Sequence, residues 1–241
     1  MINLFKFVPA AIKVFHEVGI FNKILPEVER LHAEGRYDEE RTLINLHENI
    51  LIDKLSNELK VTYTIKGKEN IPAEGPILIV ANHQSYGDVL AILKTFDNLQ
   101  VGFIAKSEFK KIKVLKTGGA ATRTIFIDRG NARETIKTLR EAADLFDKGF
   151  SLTIFPEGTR SQGPEQGEFK AGAFKFAEKG KVPILPVSIS YAYKLFEDNG
   201  TVKPCHMEIT VHPLVHYEKM SKAEQRQANH EIEKIIKENA H

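Results

Sequence analysis

From residue 61 onward the chain alternates short apolar runs with segments of helical periodicity, and this alternation narrows the possible folds most. Runs such as PILIV and SLTIF are apolar at nearly every position, which is typical of strands buried on both faces of a parallel sheet. Strands that alternate with helices in this way build α/β layers. We therefore predict an α/β fold with a largely parallel mixed sheet flanked by helices.

The positions of the predicted elements follow from apolar spacing and from the turn residues between the runs. We expect strands at 61–67, 76–82, 101–106, 124–130, 151–155, 183–190 and 207–215. We expect helices at 88–96, 107–116, 131–149, 171–180 and 221–241. Two pairs, Asn131 with Glu134 and Ser221 with Glu224, are spaced as capping boxes, and Gly149 is placed to end a helix.

The first 60 residues predict a helical hairpin ahead of an α/β domain at 61–241. Apolar residues recur at helical spacing in the second segment, 38–59. In the first segment, 2–25, one broad face is apolar and a narrow stripe is polar. The apolar face holds Phe5, Val8, Ile12 and Phe15, and the stripe includes Lys6, Lys13 and Glu17. These charges interrupt the segment too early for a membrane-spanning helix. Such a helix either packs on the domain or lies in a membrane interface, and both interpretations stay open here.

Charge and cysteine content exclude several classes of protein. The formal net charge of +2 gives no reason to expect a nucleic-acid partner. Cys205 is the only cysteine, which excludes a disulfide framework and a structural zinc site and favours a reducing compartment. The sequence contains no cluster of metal-ligating residues, so no metal is predicted.

Polar side chains collect where the predicted strands end, which is where ligands bind in open α/β sheets. These residues are Asn82, His83, Asp88, Lys106, Asp128, Arg129, Glu157, Gly158, Thr159 and Arg160. His83 and Asp88 are five residues apart, a spacing that no helix face or strand side brings together, so a turn must join them. The cations suit a phosphate or carboxylate ligand.

Each of these residues also has an ordinary structural interpretation. His83 alone could be a loop histidine, and Asp88 could cap the helix that follows it. Lys106 and Arg129 could be solvated strand ends, and PEGTR could form an ordinary turn at Gly158. Taken one at a time, these interpretations are more common than a site. They weaken because all the polar strand ends would have to be accidental together.

Several segments resemble the signature blocks of the glycerophospholipid acyltransferase family, especially the 1-acylglycerol-3-phosphate acyltransferases. NHQSYGD fits the first block, IFIDRG the second, FPEGTRS the third and VPILPV the fourth, and AKSEF resembles a further segment. The blocks occur in the family's order and lie within residues 77–188.

The resemblance implies transfer of a fatty acyl group from acyl-CoA or acyl-carrier protein to a glycerol hydroxyl, with no cofactor. His83 would be the general base, an effect of about 10²–10⁴-fold, and Asp88 would orient its ring. A serine nucleophile at Ser85 is not expected. The substrate's phosphate and glycerol would be bound by Lys106, Arg129, Glu157, Gly158 and Arg160. The oxyanion would be stabilised by backbone N–H groups near NHQSYG or PEGT.

The expected reaction acylates 1-acylglycerol-3-phosphate to phosphatidic acid. Another lysophospholipid, a lyso-aminolipid or glycerol 3-phosphate is the alternative acceptor. Thioester hydrolysis and a non-catalytic lipid-binding role are alternatives of other classes. A lysophospholipid acceptor implies work at a bilayer surface, which favours an interfacial role for residues 2–25. We therefore expect a peripheral, monotopic protein on the cytoplasmic face of the membrane.

Overall fold

The computed structural model describes residues 4–128, 130, 132–198 and 200–241. Its helices are α1 (Leu4–Phe21), α2 (Leu25–Ala33), α3 (Tyr37–Leu59), α4 (Asp88–Thr95), α5 (Lys113–Ala121), α6 (Ala132–Asp147), α7 (Lys175–Gly180) and α8 (Lys222–Glu238). Its strands are β1 (Val61–Lys66), β2 (Leu78–Ala81), β3 (Val101–Lys106), β4 (Ile125–Ile127), β5 (Ser151–Ile154), β6 (Ile184–Ser190) and β7 (Cys205–Val211).

All seven strands form one sheet in the order β1-β7-β6-β2-β5-β3-β4. The pairs from β6 through β4 are parallel, β6 and β7 are antiparallel, and β7 and β1 are again parallel. The largely parallel mixed sheet is thus confirmed. The carboxyl ends of β2, β3, β4, β5 and β6 consequently lie along one edge.

The N-terminal helices are present as predicted, with α2 as an additional helix that was not predicted, and they pack on the sheet layer. Val28 of α2 and Ile44 of α3 belong to a buried cluster that contains Leu78 and Leu152 of the sheet. Ile52 of α3 belongs to a second buried cluster, built on alternate sheet residues such as Ile79 and Val187. One helix therefore contributes to both apolar clusters. None of the helices in the described part of the chain is long and apolar enough to cross a membrane.

Two predicted helices differ from the observed ones. The segment 107–116 is a 3₁₀ helix, Ser107–Lys111, followed by α5, because Ile112 takes an extended conformation between them. A β-branched residue adopts that conformation readily. Residues 171–180 likewise begin with a 3₁₀ turn before α7. The capping box of Ser221 and Glu224 is confirmed, and Gly149 has a φ of 84° just after α6. Asn131, the other predicted cap, lies outside the described residues.

A buried carboxyl joins α3 to the sheet. Glu48 is 2% exposed, and its Oε2 accepts the backbone N–H of Val101 at 3.4 Å. Its Oε1 is buried without a partner among the described residues. Burial raises the pKa of the Glu48 carboxyl well above its usual value, with only partial opposition from that hydrogen bond. The neutral acid is therefore the form that this environment favours.

We expect Glu48→Gln to raise the free energy of unfolding at pH 7 by on the order of 1 kcal/mol. A carboxyl whose pKa is raised in the folded state stabilises the fold at pH values below its usual pKa. This stabilisation is lost as the pH rises from the usual pKa towards the pKa of the folded state. Glutamine resembles the neutral acid and does not ionise. Urea unfolding at pH 7 and at about pH 4 measures the effect, which should vanish at the lower pH. The exposed Glu58→Gln is the control. An equal effect at both pH values would contradict the assignment.

Candidate active site

His83 and Asp88 meet in the turn between β2 and α4. Asp88 is the first residue of α4, and its Oδ2 lies 2.6 Å from His83 Nδ1 and accepts the backbone N–H of Ser85 at 2.9 Å. The Asp88 side chain is fully buried, whereas the His83 side chain is 19% exposed. Because a carboxylate only accepts, Nδ1 carries a proton, and in the neutral imidazole Nε2 keeps its lone pair. The pair is therefore arranged as a base with a partner that orients it.

Phe155 fixes the plane of the imidazole. Its ring stacks on that of His83 with the centroids 4.2 Å apart and an interplanar angle of 14°. The Phe103 ring also stacks on that of Phe155, with the centroids 6.5 Å apart. Phe155 follows β5 and Phe103 lies in β3, so neighbouring strands supply both rings. The imidazole is thereby held against an apolar wall.

Glu157 ties the loop after β5 to the loop after β2. Its Oε1 accepts the backbone N–H of His83 at 2.6 Å, and its Oε2 accepts that of Gly167 at 2.7 Å. Burial raises the pKa of the Glu157 carboxyl, although both N–H bonds oppose this. Ser161 N–H also donates to the His83 carbonyl at 2.7 Å, and Gln162 N–H donates to that of Gln84 at 3.1 Å. The two loops thus form one unit around the histidine.

Gly158 shapes the turn that presents the rest of this loop. Its φ is 75°, a conformation that residues with a Cβ rarely adopt, and its N–H donates to the Phe155 carbonyl at 3.1 Å. The turn directs the chain from Glu157, beside the histidine, to Arg160.

Arg160 has partners on two sides. Its Nη1 donates to Glu197 Oε1 at 2.8 Å, and its guanidinium lies 3.7 Å from the centroid of the Tyr86 ring. Tyr86 belongs to the first predicted block, so the structure links the first and third blocks through this contact as well. Arg160 is 23% exposed, and Glu197 is 2% exposed.

Of the two remaining predicted cations, the structure describes only Lys106, which lies at the same edge of the sheet. Lys106 is the last residue of β3, it is exposed, and its backbone pairs in register with Ile127 of β4. Arg129 lies outside the described residues, so the structure gives no account of it. Within the described ranges, no group of three or more His, Cys, Asp or Glu side chains is arranged to hold a metal ion.

Several polar residues of the site have a structural role that spacing did not reveal. Asn82 donates to the Ile189 carbonyl and accepts the Ile189 N–H, both at 2.8 Å, and so extends the pairing of β2 with β6. Gln84 is fully buried, accepts the Ala192 N–H at 3.1 Å and donates to the His241 backbone oxygen at 3.0 Å. Spacing alone predicts no role for Gln84, Phe155 or Glu197, although Gln84 lies within the first block and Phe155 within the third.

Fold and geometry together define an α/β protein with a histidine–carboxylate pair at the ligand-binding edge of its sheet. The model of the acyltransferase family matches residues 62–190, more than half of the chain. The chain therefore belongs to the acyltransferase family, and the resemblance of its sequence blocks is confirmed.

Individual proteins support this membership. A probable 1-acyl-sn-glycerol-3-phosphate acyltransferase of Mycoplasma genitalium is 37% identical over 139 residues, which are 56% of this chain and 52% of that protein. The 1-acyl-sn-glycerol-3-phosphate acyltransferase of Saccharomyces cerevisiae is 37% identical over 52% of this chain and 42% of its own length. The chain thus spans about half the length of these curated relatives.

A solved structure is similar over nearly the whole chain. The crystal structure of the 1-acyl-sn-glycerophosphate (LPA) acyltransferase PlsC from Thermotoga maritima superposes with a TM-score of 0.69 at 25% identity. The match covers 95% of this chain and 97% of that one. It therefore includes the N-terminal helices as well as the sheet.

Proposed function

We propose that this protein transfers a fatty acyl group from a thioester, acyl-CoA or acyl-carrier protein, to the free hydroxyl of 1-acylglycerol-3-phosphate, giving phosphatidic acid. The observation that carries the proposal is the 2.6 Å contact between His83 Nδ1 and buried Asp88, at the edge where the family blocks converge. The names of the similar proteins support this choice of acceptor.

The proposed reaction begins at His83 Nε2, which takes the proton of the acceptor hydroxyl as its oxygen attacks the thioester carbonyl carbon. A carbon–oxygen bond forms, and the carbonyl becomes a tetrahedral oxyanion. The carbon–sulfur bond then breaks, and the leaving thiolate takes the proton from the imidazolium. Asp88 stabilises the imidazolium between these two transfers.

No acyl-enzyme is needed, and Ser85 is poorly placed to form one. Its side chain is fully buried, and its Oγ accepts the backbone N–H of Gly87 at 2.9 Å. We assign it to the turn that brings Asp88 back to the histidine.

We propose that Arg160, Arg129 and Lys106 bind the phosphate of the acceptor. Arg160 supports this role because it belongs to the loop that Glu157 fastens to His83. Several N–H groups of the turn after β2 already donate hydrogen bonds within the site, to the side chains of Glu157, Asp88 and Ser85. We therefore propose that the loop PEGTR stabilises the oxyanion through N–H groups other than that of Gly158, which donates to the Phe155 carbonyl.

We propose that residues 1–60 associate with a bilayer, with the α/β domain at 61–241 placed at the cytoplasmic face of the membrane. Large apolar side chains on α1 and α3 face outward and support this. They are Ile12 (62% exposed), Phe15 (40%), Ile20 (37%), Leu46 (55%) and Ile50 (46%). Exposed Lys13 lies between two of them and suits an anionic headgroup.

The function is tested with purified protein, acyl-CoA or acyl-carrier protein as donor, and a panel of acceptors. The panel contains 1-acylglycerol-3-phosphate, other lysophospholipids, a lyso-aminolipid, glycerol 3-phosphate and neutral 1-acylglycerol. Free thiol and acylated product are measured together. We expect equal amounts of both, with 1-acylglycerol-3-phosphate the best acceptor. Thiol release without an acceptor would indicate a hydrolase, and lysolipid binding without release a non-catalytic lipid-binding protein.

A further inference from the structure

Glu197 is a buried acid next to the site, and none of the matched sequence blocks contains it. It follows the 3₁₀ turn Ala192–Leu195 that continues from β6, and only 2% of its side chain is exposed. Its Oε1 accepts from Arg160 Nη1 at 2.8 Å and from the backbone N–H of Tyr86 at 3.4 Å. Its Oε2 is buried without a hydrogen-bond partner in the described structure. Such an acid needs its cation, because an unpaired buried charge is costly.

Tyr86 holds Arg160 from a second direction. The centroid of its ring lies 3.7 Å from the guanidinium carbon, and the residue is 49% exposed. Its edge meets Phe109, which belongs to the segment after β3, with the centroids 6.5 Å apart and the planes at 77°. A cation over an aromatic face is attracted to it and keeps the guanidinium plane in a fixed orientation. The ion pair and the ring therefore restrain Arg160 from two different loops.

We propose that Glu197 and Tyr86 are positioning residues that set Arg160 to receive the phosphate monoester of the acceptor. This inference rests on the proposed function. A guanidinium has five N–H donors, and the pair with Glu197 uses one of them at Nη1. The others remain for a phosphate, which a planar guanidinium binds through two parallel bonds. Glu197 is too deeply buried to touch the acceptor and acts through Arg160.

The direction of the change in KM distinguishes a positioning role of Glu197 from an electrostatic role and from a merely structural one. If Glu197 positions Arg160, Glu197→Ala raises the KM for 1-acylglycerol-3-phosphate by about 10-fold with little change in kcat. Glu197→Gln keeps an acceptor oxygen for Nη1 and restores most of the affinity. If Glu197 only weakened the positive charge of Arg160, both variants would lower this KM. If Glu197 were merely structural, both would change the amount of folded protein and leave the KM unchanged.

The test compares KM and kcat for 1-acylglycerol-3-phosphate and for neutral 1-acylglycerol in the full chain. Tyr86→Leu is the second variant, because an exposed ring is removed without opening the core. We expect it to raise the KM for the phosphate acceptor by about 3-fold, whereas Tyr86→Phe leaves it unchanged. The KM for the neutral acceptor should stay the same in all variants.

Glu40→Gln is the matched control, because Glu40 is also a fully buried acid paired with an arginine, Arg123, but it lies in the N-terminal hairpin. It should change stability and leave the KM unchanged. The inference would be overturned if the wild-type protein is active and the KM for the phosphate acceptor is unchanged in both Glu197→Ala and Tyr86→Leu. Loss of the proposed function itself would appear as a wild-type protein that transfers no acyl group.

Discussion

Replacing His83 with alanine is expected to lower kcat for acyl transfer by about 10²–10⁴-fold, with a much smaller change in the KM for either substrate. The variant loses the group that takes the hydroxyl proton, while the residues proposed to bind the phosphate remain. Initial rates of phosphatidic acid formation with saturating donor measure the effect. Circular dichroism and thermal unfolding establish that the variant is folded, which we expect because the ring is partly exposed.

His206→Ala is the matched control for this variant. His206 lies on β7, is exposed, and bonds to Thr62 and Thr64 of the edge strand β1. Its loss should leave the rate within about 2-fold of wild type, since surface changes away from a site have small effects. A folded His83→Ala protein that retained wild-type kcat would remove His83 from the reaction.

Asp88→Asn is expected to lower kcat by about 10³-fold or more, although it changes a single atom. The amide presents either an NH₂ donor or an uncharged oxygen to a position where both His83 Nδ1 and the Ser85 N–H donate to one carboxylate oxygen. An NH₂ group turned towards Nδ1 moves the ring proton to Nε2, which then no longer accepts the hydroxyl proton. The imidazolium also loses its counter-charge. Single-turnover measurements of acyl transfer separate this loss from any change in product release.

The control for the aspartate is Asp97→Asn, at an exposed residue that pairs with Lys68. It should retain wild-type activity and nearly wild-type stability, because exposed ion pairs contribute little. If Asp88→Asn kept the wild-type rate while His83→Ala lost it, the histidine would act without this carboxylate. Asp88 would then be confined to starting α4.

The strand–helix alternation predicted the sheet because its strands are covered on both faces. Leu78 and Val80 pack in one buried cluster and Ile77 and Ile79 in the other, so β2 has no polar position. A strand buried on both faces has a continuous apolar run, and such a run can be recognised in the sequence. The helix break at Ile112 was not readable, because Lys110, Lys111 and Lys113 are all good helix formers. There the tertiary structure overrides local preference.

The site was predictable where a single loop or strand end contains the residues. The structure brings His83 and Asp88 together, and both are encoded within one short turn. Glu197 was not predictable, because its contact with Arg160 depends on β6 and β5 lying on either side of β2, and a sequence does not state the order of strands. For Glu157 the family resemblance implies contact with the substrate's phosphate or glycerol, whereas its observed partners are backbone N–H groups. A backbone N–H group does not depend on the residue type, so a contact with it leaves no pattern in the sequence.

The bonds between the loops after β2 and β5 have a consequence for protein engineering. The two loops should be exchanged together as one unit, because Glu157, Ser161 and Gln162 form hydrogen bonds with the main chain of His83 and Gln84. A chimera that imports one loop from a distant homologue would inherit a mismatched partner and a displaced imidazole. Libraries that recombine both loops together should retain far more active clones than libraries that shuffle them separately.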